Sequence, residues 1–514
     1  MVRLSQRFLN DRNREHILFA VIFLVAVLLR VIMFGSHPAG LNQDEASVGY
    51  DAWALMNDNI DRNGFSFPVH LMAWGSGQNA LYAYFSMPFI ALFGLNVFSV
   101  RIVNLIFSLL TVLAVYSTLK QAVDKRTAFI GMALTAAAPW NVMLARWGLE
   151  SNLFPAMLML SIWVLFRSTK NKRFFYPAAV ILALSLYSYG SAYLVVTLFA
   201  LACFVYCVVK KLVPVKTLIV GALVYVVISV PIYLFVYINV FELEGLQIGA
   251  MSIPRLYGNR IQVQNGATFF DFFKNLYHFV LWQTDNTERN AFQFYGCYYV
   301  ISLPFLMAGI VRAVKKRMEF DFIVLLALIC SVLLFCYYNA PNINRVNAIY
   351  MPLILLTSVG LGGVIKNKCS FALIFVSYTI CLTGFSFRYF GSDYREYIGK
   401  EFCDGFEEAL KKTTELSSGN KTVNIVTSNM PHIYTLFYTQ TPPGEFLDTV
   451  VYENPGAMFQ RVRSFSNYRF TTNFHAFNPD ESGIYLLDAS LQETAEKKTS
   501  EIYSHKNFIV AVIP

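Results

Sequence analysis

Charge is what this chain has least of: Lys, Arg, Asp and Glu make up 14% of its 514 residues, against about 25% in a soluble domain. That shortage excludes a water-soluble globular enzyme. The eight cysteines (Cys203, Cys207, Cys297, Cys330, Cys336, Cys369, Cys381 and Cys403) lie mostly inside apolar segments, with no CxxC pair and no histidine cluster at zinc spacing. Neither a disulfide framework nor a structural metal is indicated. Internal repeats are also missing, and with them one usual mark of a transporter.

What is present is apolar: 56% hydrophobic and 16% aromatic residues, with a mean hydropathy of +0.47. Windows of the roughly 20 apolar residues that cross a bilayer recur from Ile17 to Phe387 and then stop. The expected class is a mainly α, polytopic transmembrane bundle of about 11 spans, near 17–34, 97–119, 127–144, 152–167, 174–189, 191–209, 215–238, 292–311, 321–338, 346–365 and 369–387. Residues 1–387 form the membrane module and 388–514 a soluble domain. The first segment follows Arg3, Arg7, Arg12 and Arg14 and reads as a retained signal anchor, because it is longer than a signal-peptide core and many spans follow.

Lys and Arg cluster in alternate loops (Lys120, Lys125 and Arg126; Arg167 to Arg173; Lys210 to Lys216; Arg312 to Arg317; Lys366 and Lys368). The positive-inside rule then puts the amino terminus in the cytoplasm and, with an odd number of crossings, the tail outside. The stretch 80–94, ALYAYFSMPFIALFG, is too short for a span and reads as an interfacial or re-entrant segment. The first outer loop thus runs over 35–96, and a second, long outer loop over 239–291. The net charge of +9 is largely carried by the cytoplasmic loops, so anionic membrane lipid, not nucleic acid, is the partner it implies.

NQDEASVGYDAW, residues 42–53, places Asp44 and Glu45 just past the first span. Ionised groups beside hydrocarbon are expensive, so carboxylates there face water or a built polar cavity. At 100° per residue Asp44, Ser47, Asp51 and Asp58 share one narrow arc, which predicts an interfacial amphipathic helix with Tyr50 and Trp53 at headgroup level. The plainer reading makes Asp44 the helix N-cap, with Glu45 favouring the positive dipole end. A capping carboxylate is rigid, so capping and catalysis are compatible.

QDEASVGYDAW, IDRNGFSFP, LYAYFSMPFIALFGLNVFSVR and APWNVMLARWGLESNLFP follow in order, then SLYSYGSAYL (185–194), LWQTDNTERNAFQFYG (281–296), PNINRVNAIYMPL (341–353) and HIYTLFYTQTPP (432–443). This series resembles bacterial members of glycosyltransferase family 39, relatives of protein O-mannosyltransferases and lipid A aminoarabinose transferases. The resemblance implies a GT-C fold whose outward cavity takes a sugar from a polyprenyl-phosphate carrier and passes it, with inversion, to an extracytoplasmic acceptor. Asp44 would then be the base that deprotonates the acceptor hydroxyl, a poor nucleophile otherwise. Glu45 would position it or help bind a cation. Some relatives hold a metal near the site, which leaves a divalent ion at Glu45 and His278 open; alone, His278 in KNLYHFVLW reads as packed.

Loss of a lipid phosphate needs fixed cations, and Arg146, Arg289 and Arg345 fall inside the family-like motifs. Arg255 and Arg260 read instead as snorkelling or carboxylate-paired side chains, and Arg101 as a snorkelling or structural arginine and not a phosphate ligand. Asp51, Asp61, Tyr82, Glu150 and Asp285 are secondary substrate-binding candidates; Asp61 and Asp285 sit in turn-like contexts, and Trp74, Tyr82 and Tyr84 offer rings for a sugar or for a membrane belt. The long outer loop is expected to close over the carrier phosphate. In the tail, 421–428, 483–490 and 507–514 read as strands, and the stretches around FEEALKKTTEL, PHIYTLFY and PGAMFQRVRSF as helices. That predicts an extracytoplasmic α/β domain without a phosphate loop or nucleophile motif. The rival class is a polytopic lipid or sugar transporter or flippase; the acidic cluster at one surface and the apolar span centres speak against it.

Overall fold

Seven helices in the computed structural model are long and apolar enough to cross a membrane: Val97–Ala122, Glu150–Lys170, Ala192–Lys210, Val215–Val240, Glu319–Tyr337, Ile343–Val364 and Lys368–Tyr389. The structure describes residues 2–258, 267–316, 318–418 and 421–514. Arg260, Asn265, Arg317 and Asn420 therefore lie outside the described residues.

Of the other four expected spans, the first lies within a longer helix and three are divided or shortened. Residues 17–31 belong to a 30-residue helix, Val2–Val31, with turns after it. The expected span 127–144 is divided: Lys125–Ala137 stops at Ala138, which takes an extended ψ ahead of Pro139, and Pro139–Leu144 follows. A residue before proline is pushed out of helical geometry, which accounts for the break. In place of 174–189 stands the 11-residue helix Phe175–Ser185, and in place of 292–311 stands Leu303–Lys316, preceded by turns with Tyr299 at φ 65°. By length and composition seven helices among the described residues qualify as candidate spans. Leu81–Phe93, 13 residues with Pro88 inside it, is about 20 Å long and too short to cross a core of about 30 Å.

Two compact units emerge from the internal contacts. The first gathers 1–34, 104–230 and 264–388. Its helices Leu303–Lys316 and Tyr350–Val364 approach closely because Gly309 and Gly360 lack side chains: a Cβ on Gly309 would lie 1.9 Å from the Leu356 carbonyl oxygen, and one on Gly360 1.8 Å from that of Phe305. Small residues at such crossings let dispersion replace the missing hydrophobic drive within lipid. Arg30 is wholly buried here. Its Nε donates to Ser108 Oγ at 2.7 Å and its Nη1 to the carbonyls of Ala26 (2.9 Å) and Ala136 (3.0 Å), so the charge is solvated by protein.

The second unit gathers 35–103, 231–263 and 389–514, the segments read from the sequence as first outer loop, part of the long loop, and tail. Its tail holds a seven-stranded mixed sheet in the order Ile502–His505, Phe508–Ile513, Gly483–Asp488, Val423–Val426, Tyr468–Thr471, Val462–Phe465, Val451–Tyr452. Val423–Val426 runs parallel to both neighbours, while the other pairings are antiparallel. Helices occupy Phe406–Ser417 and Pro431–Thr439, as the pattern predicts. PGAMFQRVRSF does not form a helix. Pro455 and Gly456, the latter at φ +77°, open a turn, and Val462–Phe465 becomes a strand paired with Tyr468–Thr471. Two short hairpins complete this unit, His70–Leu71 with Gln78–Asn79 and Leu246–Ile248 with Met251–Ile253.

Candidate functional site

The helix Gln43–Asp58 begins with a capping box, and its N-cap is Asn42, not Asp44. The Asn42 side chain accepts from the Asp44 N–H at 3.0 Å, while Glu45 Oε2 accepts the Asn42 N–H at 2.9 Å. Arg101 closes on the same carboxylate with both ends of its fork, Nε to Oε1 at 2.8 Å and Nη2 to Oε2 at 2.9 Å. Both side chains are fully buried. Arg101 also donates to the carbonyls of Pro38 and Gly40 at 2.8 Å, which ties the chain ahead of the helix to its first turn. The two acidic neighbours therefore differ: Glu45 is locked inside, and Asp44 is only half-buried.

Around Asp44 a ring of contacts closes on itself. Trp74 Nε1 donates to Asp44 Oδ1 at 3.3 Å, and the Arg62 guanidinium stacks on the Trp74 ring, 5.0 Å from its centroid. Arg62 Nη2 donates to Ser47 Oγ (2.7 Å), Ser47 Oγ to Gln78 Oε1 (2.8 Å), and Gln78 Nε2 to the Asp44 carbonyl (3.2 Å). Asp51, wholly buried, balances Arg62 at 3.6 Å. From the tail, His432 meets the Trp74 ring edge-on, with centroids 5.8 Å apart. Burial and the nearby Arg62 hold the His432 pKa down to about 3, so this ring adds no charge near neutral pH.

The helix is packed within protein over most of its surface instead of presenting one bare apolar face. Residues 45–52, 54 and 55 are all buried, and Tyr50 donates its hydroxyl to the Thr441 carbonyl. Of the polar arc, Ser47 and Asp51 are covered by Arg62 and Gln78 from the 59–79 segment, while Asp58 is exposed. Asp61 closes a turn, accepting from the N–H groups of Asn63 (2.8 Å) and Phe65 (3.0 Å). Burial, and then the charge of Asp51, push the Asp61 pKa up to about 7. Tyr82 is fully buried with its hydroxyl on the Val100 carbonyl at 2.8 Å, and Tyr84 bonds the Pro68 carbonyl. Neither hydroxyl is presented to a sugar. Arg255 pairs with Glu242 at 3.8 Å on the surface.

In the first unit the three arginine candidates separate. Arg146 is fully buried and donates to the carbonyls of Arg30 (2.8 Å) and Ile32 (2.6 Å), at the C-terminal end of Val2–Val31, where a cation suits the dipole. Arg289 and Arg345 are half-buried. Asp285 pins their two segments together: Oδ2 accepts from Asn290 Nδ2 (2.7 Å) and from the Ile343 N–H (2.9 Å), Oδ1 from the Thr287 N–H (3.0 Å). Arg345 lies over the Tyr338 ring at 5.5 Å and has no carboxylate partner among the described residues. Glu150 opens the helix Glu150–Lys170 and is buried, placed to favour that dipole end.

Residues 79–235 match the family model of dolichyl-phosphate-mannose-protein mannosyltransferase. The whole chain superposes on ArnT from Cupriavidus metallidurans in the apo state, with a TM-score of 0.57 at 11% identity over 98% of this chain and 98% of that one. The same enzyme bound to undecaprenyl phosphate gives 0.55 at 12% identity over 96% and 97%. The apo oligosaccharyltransferase of Archaeoglobus fulgidus gives 0.53 at 13% identity over 84% of this chain and 64% of that one. The fold is GT-C. No curated protein matches the sequence.

No group of three or more His, Cys, Asp or Glu among the described residues could hold a metal ion. Glu45 is a poor ligand in any case, since Arg101 and the Asn42 N–H engage both of its oxygens. His278 lies in a π-helical turn, Tyr277–Trp282, edge-on to Tyr277. The residues do not fit a metal at that pair. Arg62 and His432 escaped the sequence reading although both sit in quoted motifs, IDRNGFSFP and HIYTLFYTQTPP. Nothing in either segment names Trp74 as their shared neighbour.

Proposed function

We propose that this multi-pass membrane protein is a glycosyltransferase that moves a sugar from a polyprenyl-phosphate carrier to an extracytoplasmic acceptor, with inversion at the anomeric carbon. The observation that carries the proposal is the unequal placement of the acidic pair in a GT-C fold: Glu45 is buried against Arg101, while Asp44 is half-buried on a helix whose cap it does not supply. Asp44 takes the acceptor proton as the new bond forms, because a carboxylate within hydrogen-bond reach supplies the base a sugar hydroxyl lacks. Glu45 and Arg101 hold the turn that carries it.

Arg345 and Arg289 receive the negative charge that grows on the departing lipid phosphate. Support for such a donor comes from ArnT, solved with undecaprenyl phosphate, and from the Archaeoglobus oligosaccharyltransferase, solved with an inhibitory peptide and a dolichol-phosphate. The amino terminus lies in the cytoplasm and the tail outside, as the Lys and Arg bias of the loops supports.

The test is release of free polyprenyl phosphate from a radiolabelled lipid-linked sugar by the purified protein, coupled to label on an acceptor. Failure to release the carrier from any pentose or hexose donor would sink the proposal. Orientation is read separately, by labelling single cysteines near residues 63 and 420 with an impermeant reagent in intact cells. Labelling of the tail only after lysis would overturn it.

A further inference from the structure

We infer that Trp74 is a positioning residue for the Asp44 carboxylate, and that the C-terminal segment completes the site by holding Trp74 in place. The inference rests on the transferase reading for its consequence, but the contact itself is measurable without it.

Trp74 is 3% exposed, and its one polar atom faces Asp44 Oδ1 at 3.3 Å. An indole has a single N–H and no acceptor, so the ring can serve one partner and cannot take a proton from it. Both the ring and the backbone are fixed from elsewhere. Arg62 covers one face and His432 meets the edge. The Trp74 carbonyl accepts the Gln460 N–H at 2.8 Å, and Gly75 forms an antiparallel bridge with Phe459. Gly75 sits at φ +102°, and a Cβ there would lie 2.6 Å from the Ala457 carbonyl oxygen. Only glycine admits this approach of tail backbone to the Trp74 loop. The long loop adds two more ties, from the Tyr257 and Gly258 N–H groups to the Gly75 carbonyl at 3.0 and 3.4 Å.

Such anchoring is out of proportion to a turn between two-residue strands. It is what a rotor needs when one carboxylate oxygen must be steered. The charged and titratable groups around Asp44 are Glu45 and Asp51 on its own helix, Arg62 from the following segment, and His432 and Tyr434 from the tail. A donor to the ionised carboxylate favours that form. Its loss therefore moves the acid limb of the rate profile upward.

Two readouts test this on the full-length protein in detergent. With 15N-indole labelling, the Trp74 Hε1 resonance is identified by its absence in Trp74→Phe. It should follow a single acidic titration that Asp44→Asn abolishes. A Trp74 resonance indifferent both to pH and to Asp44→Asn overturns the inference, whether or not transfer is ever detected; a titrating resonance in a protein that transfers nothing removes the transferase reading alone. In the transfer assay, Trp74→Phe should lower kcat on the order of 10- to 100-fold, leave KM for the lipid donor unchanged, and raise the acid limb. Should that variant not fold, His432→Ala should lower kcat in the same manner and His432→Phe restore it. Wild-type kcat in His432→Ala would overturn the role of the tail.

Discussion

Glu45 and Asp44 are adjacent in sequence, and the structure predicts opposite results for the same change made at each. Glu45→Gln keeps the shape and the acceptor that completes the capping box, since glutamine serves there as well. What it removes is the charge opposite Arg101. Both partners are fully buried and joined by bonds of 2.8 and 2.9 Å, so the guanidinium keeps only neutral acceptors and loses its counter-charge. Breaking a buried pair from one side costs about 3–5 kcal/mol. Glu45→Gln should therefore unfold well below wild type in a thermal scan in detergent, and Glu45→Gln with Arg101→Gln should recover part of the loss. Asp44→Asn leaves the Asn42 cap intact and keeps an acceptor for Trp74. It should unfold like wild type while transfer falls roughly 10²- to 10⁴-fold. A Glu45→Gln protein as stable as wild type but as inactive as Asp44→Asn would refute the division, and would return Glu45 to the reacting atoms.

Four further outcomes are expected. Asp61 has a folded pKa of about 7 against an ordinary value of 3.8; between these the native state binds more protons than the unfolded chain, so stability falls as pH rises, by up to about 1.4 kcal/mol per pH unit from this group. Asp61→Asn, which preserves the turn acceptor, should flatten that slope between pH 4 and 7 in chemical or thermal unfolding; an unchanged slope would mean the carboxyl ionises freely. Gly360→Ala places a methyl 1.8 Å from the Phe305 carbonyl oxygen, which backbone cannot cheaply vacate, so a loss of about 1–3 kcal/mol or more is expected, read as a lower unfolding midpoint. Arg345→Gln should raise KM for the lipid donor on the order of tenfold, the worth of one charge-assisted hydrogen bond, with folding intact, whereas Arg146→Gln should first lower the unfolding midpoint because three backbone carbonyls lose their donor. Donor KM unmoved in Arg345→Gln would remove that arginine from phosphate binding.

The membrane class, most of the long helices and the existence of a tail with strands and helices follow from the sequence alone, because they depend on local quantities. A run of apolar residues satisfies its backbone internally and its side chains in lipid, wherever the rest of the chain goes. Local breaks were less visible. Pro139 and the turns ahead of Leu303 shortened expected spans, and the strand Val462–Phe465 formed where the residue pattern favoured a helix, since its neighbour Tyr468–Thr471 supplies the missing hydrogen bonds. Position within the motifs drew attention to Asp44 and Glu45, and no property of two adjacent acids says which one is buried. That was decided by Arg101, a helix away, reaching back to Glu45. The same holds for Trp74: Arg62 stands 12 positions before it and His432 several hundred after it, and only folding brings both to one indole. Hydropathy and helical period are sums over neighbours in sequence, whereas a carboxylate's partners are set by neighbours in space.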